Sequence, residues 1–302
     1  MFWLFFDTKL TRPILYPDDQ GMLSEQGLKR KYVDLHIHTT FSDGTSTVDE
    51  VLEEASVKHL KAISITDHDC TDAYPSAIEL GNKLGIEVIP GVELSSEIEG
   101  NDIHILGYYI DPDNSSFSNK LKEMKDARYI RAQKMVKNLN KQGIDLRFDT
   151  VLSIAGIGAI GRPHIAAAMM KEELVYSFRE AFDKYIGYGL PAYVEKLNMH
   201  PKEVFDLIKN AGGIPVLAHP GVTQVDERIP EFIKDGLMGI EAYHTEHPSS
   251  IERYYLKIAK KNHLAFTGGS DFHNHNHNKS EIGFPHIPYI IVESLKEHLG
   301  KF

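Results

Sequence analysis

One cysteine, Cys70, occurs in 302 residues, which excludes an internal disulfide framework and suits a reducing compartment. Cys70 directly follows His68-Asp69, so a ligand role is open to it, although a small buried thiol is the plainer reading. Basic charge is also short: 33 Lys and Arg stand against 43 Asp and Glu, a formal net charge of −10. Affinity for duplex nucleic acid rests on clustered Lys and Arg that displace counterions from phosphates, so duplex partners are not expected. No apolar run reaches the length of about 20 residues that a bilayer requires. The opening MFWLFF holds six apolar residues, has no basic start, and is followed by Asp7, Lys9 and Arg12. It reads as neither signal peptide nor membrane anchor, and the expected location is cytoplasmic. Repeats and low-complexity tracts are lacking too, apart from HNHNHN at 273–278.

What the chain does contain is a set of histidines and carboxylates at the ends of apolar runs. In Asp34-Leu35-His36-Ile37-His38 the two imidazoles leave the same face of a strand, because strand side chains alternate with a period of two. Two neutral imidazoles about one strand repeat apart can grip a divalent cation, and Asp43 in the following loop can add an anionic oxygen. Such a pair alone is weak evidence. Further on come His68 in Thr66-Asp67-His68-Asp69, Glu93 in Gly91-Val92-Glu93, and His104. His219 in Ala218-His219-Pro220, then Asp271 and His273 in Gly269-Ser270-Asp271-Phe272-His273, complete the set. Each closes or lies within an apolar run that reads as a strand: KAISITDH, IEVIPGVE, DIHILGYY, GIPVLAHP and LAFTGGSDFH. If strands alternate with helices, the sheet is parallel and its strand C-termini share one side, so these side chains converge on one mouth. More ligands gather there than one structural cation needs, which points to a polynuclear catalytic site.

At DLHIHTTFSDGT, ITDHD, IPGVELS, HILGY, LAHPG and GSDFH the chain resembles the PHP (polymerase and histidinol phosphatase) family. These pieces frame residues 33–110 and 214–283 in family order. The resemblance implies an α/β fold, a distorted seven-stranded (β/α) barrel, with up to three divalent metals and hydrolysis of phosphate esters. It is nearest to the branch of nucleoside 3′,5′-bisphosphate phosphatases and 5′→3′ exonucleases on short RNA. Asp43, where several branches carry His, matches that branch and speaks against a histidinol phosphatase.

The same resemblance implies three metal positions. His36, His38, Glu93 and Asp271 form the first; Glu93 bridges to a second completed by His104 and His219; Asp43, His68 and His273 hold the third. Two cations sharing a carboxylate lower the pKa of a shared water, giving a hydroxide nucleophile. Mixed imidazole and carboxylate ligation suits Mn2+, expected first, with Zn2+ or Fe2+ as alternatives. Three such ions add about six positive charges at one point, reversing the local sign of an acidic protein. A small phosphorylated substrate or short single-stranded RNA is therefore the expected partner, without duplex or membrane, and the oligomeric state is left open.

Thr47 to His59 reads as a helix with Ser46 or Thr47 as N-cap, and Ala73–Leu84 as another ending near Gly85. Composition shifts at the turn cluster Asp111-Pro-Asp-Asn-Ser-Ser. Residues 111–213 carry helical patterns and no strong strand, so they read as an insertion capping the barrel mouth. The barrel comprises 32–110 and 214–302, and residues 1–31 an N-terminal appendage. In the insertion, Gly161-Arg162-Pro163-His164 opens a helix. Its N-terminus and the Arg162 fork offer a phosphate clamp, a role the resemblance supports. Arg162, His164 and Lys196 are the candidate substrate contacts, against a plain capping role for Pro163 with Arg162 solvent-exposed and a solvated Lys196, the plainer reading of that lysine. His244, in GIEAYH with Glu241 and Tyr243, either donates to a phosphate oxygen and the leaving group or is a satisfied loop histidine. Asp67 and Asp69 either orient a ligand or cap the surface. His275 and His277 form an added metal-capturing edge or a solvated loop, which alternating Asn favours. Two rival functions are an amidohydrolase-type C–N hydrolase, which would bridge its metals with a strand-end Lys absent here, and a non-catalytic metal-binding PHP module, which would have lost ligands.

Overall fold

The computed structural model describes residues 31–197, 199–273 and 280–299. Residues 1–30 of the expected appendage, and His275 and His277, lie outside the described residues. Strand β1 (Tyr32–Ile37) leads to helix α1 (Val48–Val57). Thr47 caps α1 reciprocally: its hydroxyl accepts from Glu50 N at 3.3 Å, while Glu50 Oε2 accepts from Thr47 N at 2.8 Å. Val48, Val51, Leu52 and Ala55 are buried along one face of that helix. β2 (Ala62–Ile65), α2 (Tyr74–Leu84) and β3 (Glu87–Val88) follow. α2 stops where Gly85 turns left-handed at φ 71°, a conformation that costs glycine little.

The alternation then breaks. β4 (Gly91–Ile98) and β5 (Asn101–Tyr108) are joined by Glu99-Gly100, with φ of 51° and 83°. Two residues cannot hold a crossover helix, so the strands form an antiparallel hairpin. β6 (Ile214–Leu217) also pairs antiparallel with β5. The all-parallel sheet expected from the motifs is therefore corrected: β5 runs backwards and offers its first half, not its end, to the mouth.

Between β5 and β6 the described residues are helical or irregular: α3 (Ser115–Lys141), α4 (Phe148–Ala155), α5 (Arg162–Lys171), α6 (Phe178–Ala181) and α7 (Pro201–Asn210). Parallel strands β7 (Gly239–His244) and β8 (Ala265–Gly269) return after α8 (Pro220–Thr223) and α9 (Ile229–Asp235), with α10 (Ser249–Asn262) between them. β9 (Ile287–Pro288) and α11 (Ile290–His298) end the described chain.

The strands form two mixed sheets, β3-β2-β1-β9 and β4-β5-β6-β7-β8, rather than one closed ladder of seven. Isolated parallel bridges, His68↔Glu93 and Ile37↔Phe272, link the sheets. Asp69 N donates to Glu93 O and His38 N to Phe272 O, both at 2.9 Å. β8 comes so near β1 that a Cβ on Gly269 would lie 2.2 Å from His36 Cβ; only glycine fits there. The largest buried core crosses the division between the sheets, taking Val33, Leu35 and Ala62 of the four-stranded sheet with residues of β4 to β8. Phe117, Leu121 and Met124 of α3 and Val204, Phe205 and Ile208 of α7 join it. Met135, Val136 and Leu139, farther along α3, join a second core with Val151, Ile165, Met169 and Ile186. At about 1.5 Å per residue, α3's 27 residues span both. Among the described residues no helix is long and apolar enough to cross a membrane.

Candidate metal centre

Backbone register brings the nine candidate ligands to one end of the two sheets. His36 Nε2 lies 3.1 Å from His38 Nε2, and 3.3 Å from both Glu93 Oε2 and Asp271 Oδ1. His38 Nε2 lies 3.2 Å from each of the same two oxygens. These four atoms lie close enough together to share one cation at the usual metal–nitrogen and metal–oxygen bond lengths of about 2.0–2.2 Å. Glu93 also reaches outward: Oε2 is 3.1 Å from His68 Nδ1, while Oε1 is 3.0 Å from His104 Nδ1 and 3.1 Å from His219 Nε2. Asp43 Oδ1 faces His273 Nε2 at 3.4 Å, His68 Nε2 at 3.8 Å and His38 Nδ1 at 3.9 Å.

Three groups have the spacing to hold a cation: His36, His38, Glu93 and Asp271; His68, Glu93 and His104; and His38, Asp43, His68 and His273. His68 thus faces two groups, because the β2–β4 bridge sets it beside Glu93 Oε2. His219 approaches the other oxygen of Glu93. The donor set fits divalent cations, since Asp43 Oδ1, His68 Nδ1 and Glu93 Oε2 are buried with no hydrogen-bond partner. Orphaned polar atoms of this kind cost free energy unless an ion answers them.

The electrostatics agree. Burial works against the Glu93 carboxylate, but His104, His36 and His68 hold it well below the usual range. Asp43 is likewise held low against its burial by His68, His273 and His38, and Asp271 by His36 and His273. Burial pushes His68 down to about 3, leaving the ring neutral with one nitrogen bearing a free lone pair. His273 is raised to about 10 despite burial, by Asp43 and Asp271. Carboxylates held this firmly in the ionised form would draw a divalent ion to the same place.

Around the ligands sit groups that the sequence did not resolve. Asp67 is buried and accepts from Thr39 N, Thr39 Oγ1 and Ser42 Oγ at 2.7, 2.7 and 2.6 Å, which fixes the loop that carries Asp43. Asp69 accepts from Ser95 N at 2.9 Å and from Arg128 Nε at 2.7 Å. Arg128 lies in α3, a charged helix in which the sequence does not single it out. Only the fold reveals that its guanidinium also meets Ser95 Oγ at 3.0 Å. Glu241, noted at the mouth without a role, is fully buried against His36 Nδ1 at 3.0 Å and His219 N at 2.8 Å.

The candidate substrate contacts take mixed positions. Arg162 opens α5 with its guanidinium over the rings of Phe182 (5.4 Å) and Tyr193 (5.7 Å). Arg131 covers Tyr193 at 5.4 Å; burial and the neighbouring Arg162 push it down to about 10. His164 is partly structural, because its Nδ1 accepts from Gly161 N at 2.9 Å and caps its own helix. Lys196 is ion-paired with Asp102, and Asp102 Oδ1 lies 3.6 Å from His104 Nε2. His244 accepts at Nδ1 from Glu246 N (3.1 Å), which places its proton on Nε2, 3.4 Å from Asp271 Oδ2.

Comparison with known proteins follows the geometry. A family model described as the PHP domain matches residues 34–188. The chain is 31% identical to a 3′,5′-nucleoside bisphosphate phosphatase of Chromobacterium violaceum, over 83% of this chain and 90% of that protein. It is 30% identical to the 5′-3′ exoribonuclease Rnm of Salmonella typhimurium, over 80% of this chain and 84% of that protein. A crystal structure from Bifidobacterium adolescentis, described as a metal-dependent phosphoesterase, superposes with a TM-score of 0.81 at 30% identity. That match covers 89% of this chain and 96% of the other. Motif set, ligand geometry and relatives agree: the chain belongs to the PHP domain family.

Proposed function

We propose that this protein hydrolyses phosphate esters of nucleotides, taking nucleoside 3′,5′-bisphosphates or the 5′ end of short single-stranded RNA. The observation that carries the reading is Glu93: its two oxygens, buried between strands, face five imidazoles at 3.0–3.3 Å. The first position takes His36, His38, Glu93 and Asp271. The second takes Glu93, His104 and His219, which meet at Glu93 Oε1, and the third takes Asp43, His273 and His68, since a neutral ring offers one lone pair to one cation. Divalent cations held there, with Mn2+ foremost and Zn2+ or Fe2+ as alternatives, would supply Lewis acidity and an activated water. The fold is read as a distorted seven-stranded barrel of β1, β2 and β4 to β8, joined at its seams by the two isolated bridges.

The protein's own groups then do the binding and orienting. Arg162 and Arg131, stacked on Tyr193, form a cationic edge on the insertion side that suits a second phosphate. A Cβ on Gly161 would stand 3.7 Å from Asp43 Oδ2, so the start of α5 lies beside the third metal position. That proximity suits a substrate with two phosphates a few ångströms apart. Lys196 holds Asp102 next to His104. His244 keeps its Nε2 proton at Asp271, within reach of a leaving oxygen as that group departs.

Two outcomes check this reading. The first is a panel comparing kcat/KM, with Mn2+ present, for a nucleoside 3′,5′-bisphosphate, its monophosphate, a 5′-phosphorylated RNA oligomer and the same RNA in a duplex. Bisphosphate or single strand is expected to lead, and equal rates on monophosphate and bisphosphate, or a duplex preference, would overturn the pocket. In the second, Arg162→Ala raises KM for the bisphosphate while bound metal stays at the wild-type level, since Arg162 stands outside the ligand groups. Unchanged kinetics on all four substrates would return Arg162 to a solvated surface role.

A further inference from the structure

Glu241 belongs to no ligand group, yet its two oxygens are both engaged in the buried heart of the site. Oε1 lies 3.0 Å from His36 Nδ1, and Oε2 accepts from His219 N at 2.8 Å. The partners come from strand β1 and from the turn that leads into α8, and one of them has no freedom: a backbone N–H donates at every pH. His219 sits at φ 27°, ψ 56°, an uncommon backbone for a non-glycine residue that needs outside support. The other partner has two states. An imidazole with its proton on Nδ1 donates to Glu241 and leaves Nε2 bare toward His38, Glu93 and Asp271. With its proton on Nε2, it would aim a hydrogen at those same groups and could not ligate.

We propose that Glu241 is a positioning residue for the metal centre, holding His36 in the Nδ1–H tautomer and holding the turn that aims His219 at Glu93. The inference rests on the ligand role of His36 given above. Its chemistry follows from counting acceptors. A carboxylate has one oxygen for each of two donors, whereas an amide has one oxygen and an NH2. In Glu241→Gln the backbone N–H of His219 claims the oxygen, the NH2 turns to His36 Nδ1, and the His36 proton moves to Nε2. The substitution keeps the side chain's shape, so it tests the tautomer rather than the packing.

The experiment uses the purified full chain, stripped of metal and titrated with Zn2+ by calorimetry, with 15N-histidine NMR of the Zn2+-loaded protein. Wild type is expected to show His36 protonated at Nδ1. Glu241→Gln is expected to bind its tightest Zn2+ about tenfold to a hundredfold more weakly, the range for loss of a carboxylate behind a ligating histidine. Its His36 proton should move to Nε2. Glu241→Asp, which keeps both acceptors on a shorter stem, should retain the Nδ1–H tautomer and recover part of the affinity. A Glu241→Gln protein that binds Zn2+ within about twofold of wild type, or that keeps Nδ1–H on His36, overturns the proposal, as the carboxylate would then set neither property. Should that variant fail to fold, the wild-type spectrum decides: a His36 without a proton on Nδ1 in the Zn2+ form refutes the assignment. Failure of the wild type to bind any divalent ion would instead defeat the metal centre itself, so the two failures are distinct.

Discussion

Glu93→Gln is expected to abolish hydrolysis and strip metal from the centre, with kcat falling at least about 10³-fold, the scale of losing a principal electrostatic element. Oε2 of Glu93 faces His36, His38 and His68, and Oε1 faces His104 and His219. An amide must turn its NH2 toward one of those sets, presenting hydrogens where ring nitrogens need a shared cation. It also removes the negative charge that lets two positive ions approach each other. Metal content by atomic spectroscopy and single-turnover rates check both halves of the expectation. Activity above about a tenth of wild type would show that Glu93 does not bridge the centre, since a group acting only in the transition state lowers kcat and kcat/KM together.

The second large effect is on stability. Asp69 is 2% exposed, and its carboxylate meets Arg128 through Nε at 2.7 Å. Arg128→Ala leaves that carboxylate buried without its cation, a defect that costs about 3–5 kcal/mol. Asp69 also accepts from Ser95 N, and its own N–H donates to Glu93 O. Loss of Arg128 therefore loosens the seam between β2 and β4, and metal affinity should fall along with the unfolding midpoint. Denaturant titration of Arg128→Ala, Asp69→Ala and the double variant measures the coupling, with the double costing less than the sum. A cost below about 1 kcal/mol for Arg128→Ala would mark the pair as solvent-screened.

Local chemistry made much of this legible. The T-x-x-E pattern at Thr47 announces the start of α1, Gly85 the end of α2, and alternation the shared face of His36 and His38. Helical patterning of 111–213 matches the absence of strands there among the described residues. What local patterns could not carry was pairing between distant segments. The Glu99-Gly100 turn reverses β5, yet DIHILGYY reads the same in either direction. Grouping His68 with Glu93 and His104 depends on one bridge between strands in different sheets. Glu241 reaches His36 across 205 residues, and Arg128 reaches Asp69 across 59. Nothing near either residue in sequence distinguishes it from an ordinary strand or helix carboxylate or cation.

Helix α3, running unbroken from one buried core into the next, bears on how the protein could be recombined with its relatives. A chimera that swapped residues 111–213 as a cassette would carry away Phe117, Leu121, Met124, Val204, Phe205 and Ile208, all of which the five-stranded sheet needs. The buried residues of the helical core run only from Ala132 to Ala192. Splicing inside the helix, after Arg128 and before Ala132, leaves the sheet its own side chains and keeps the arginine that pins the seam. The natural cut for exchanging the helical core thus falls within a continuous helix and not at the turns near residues 111 and 213.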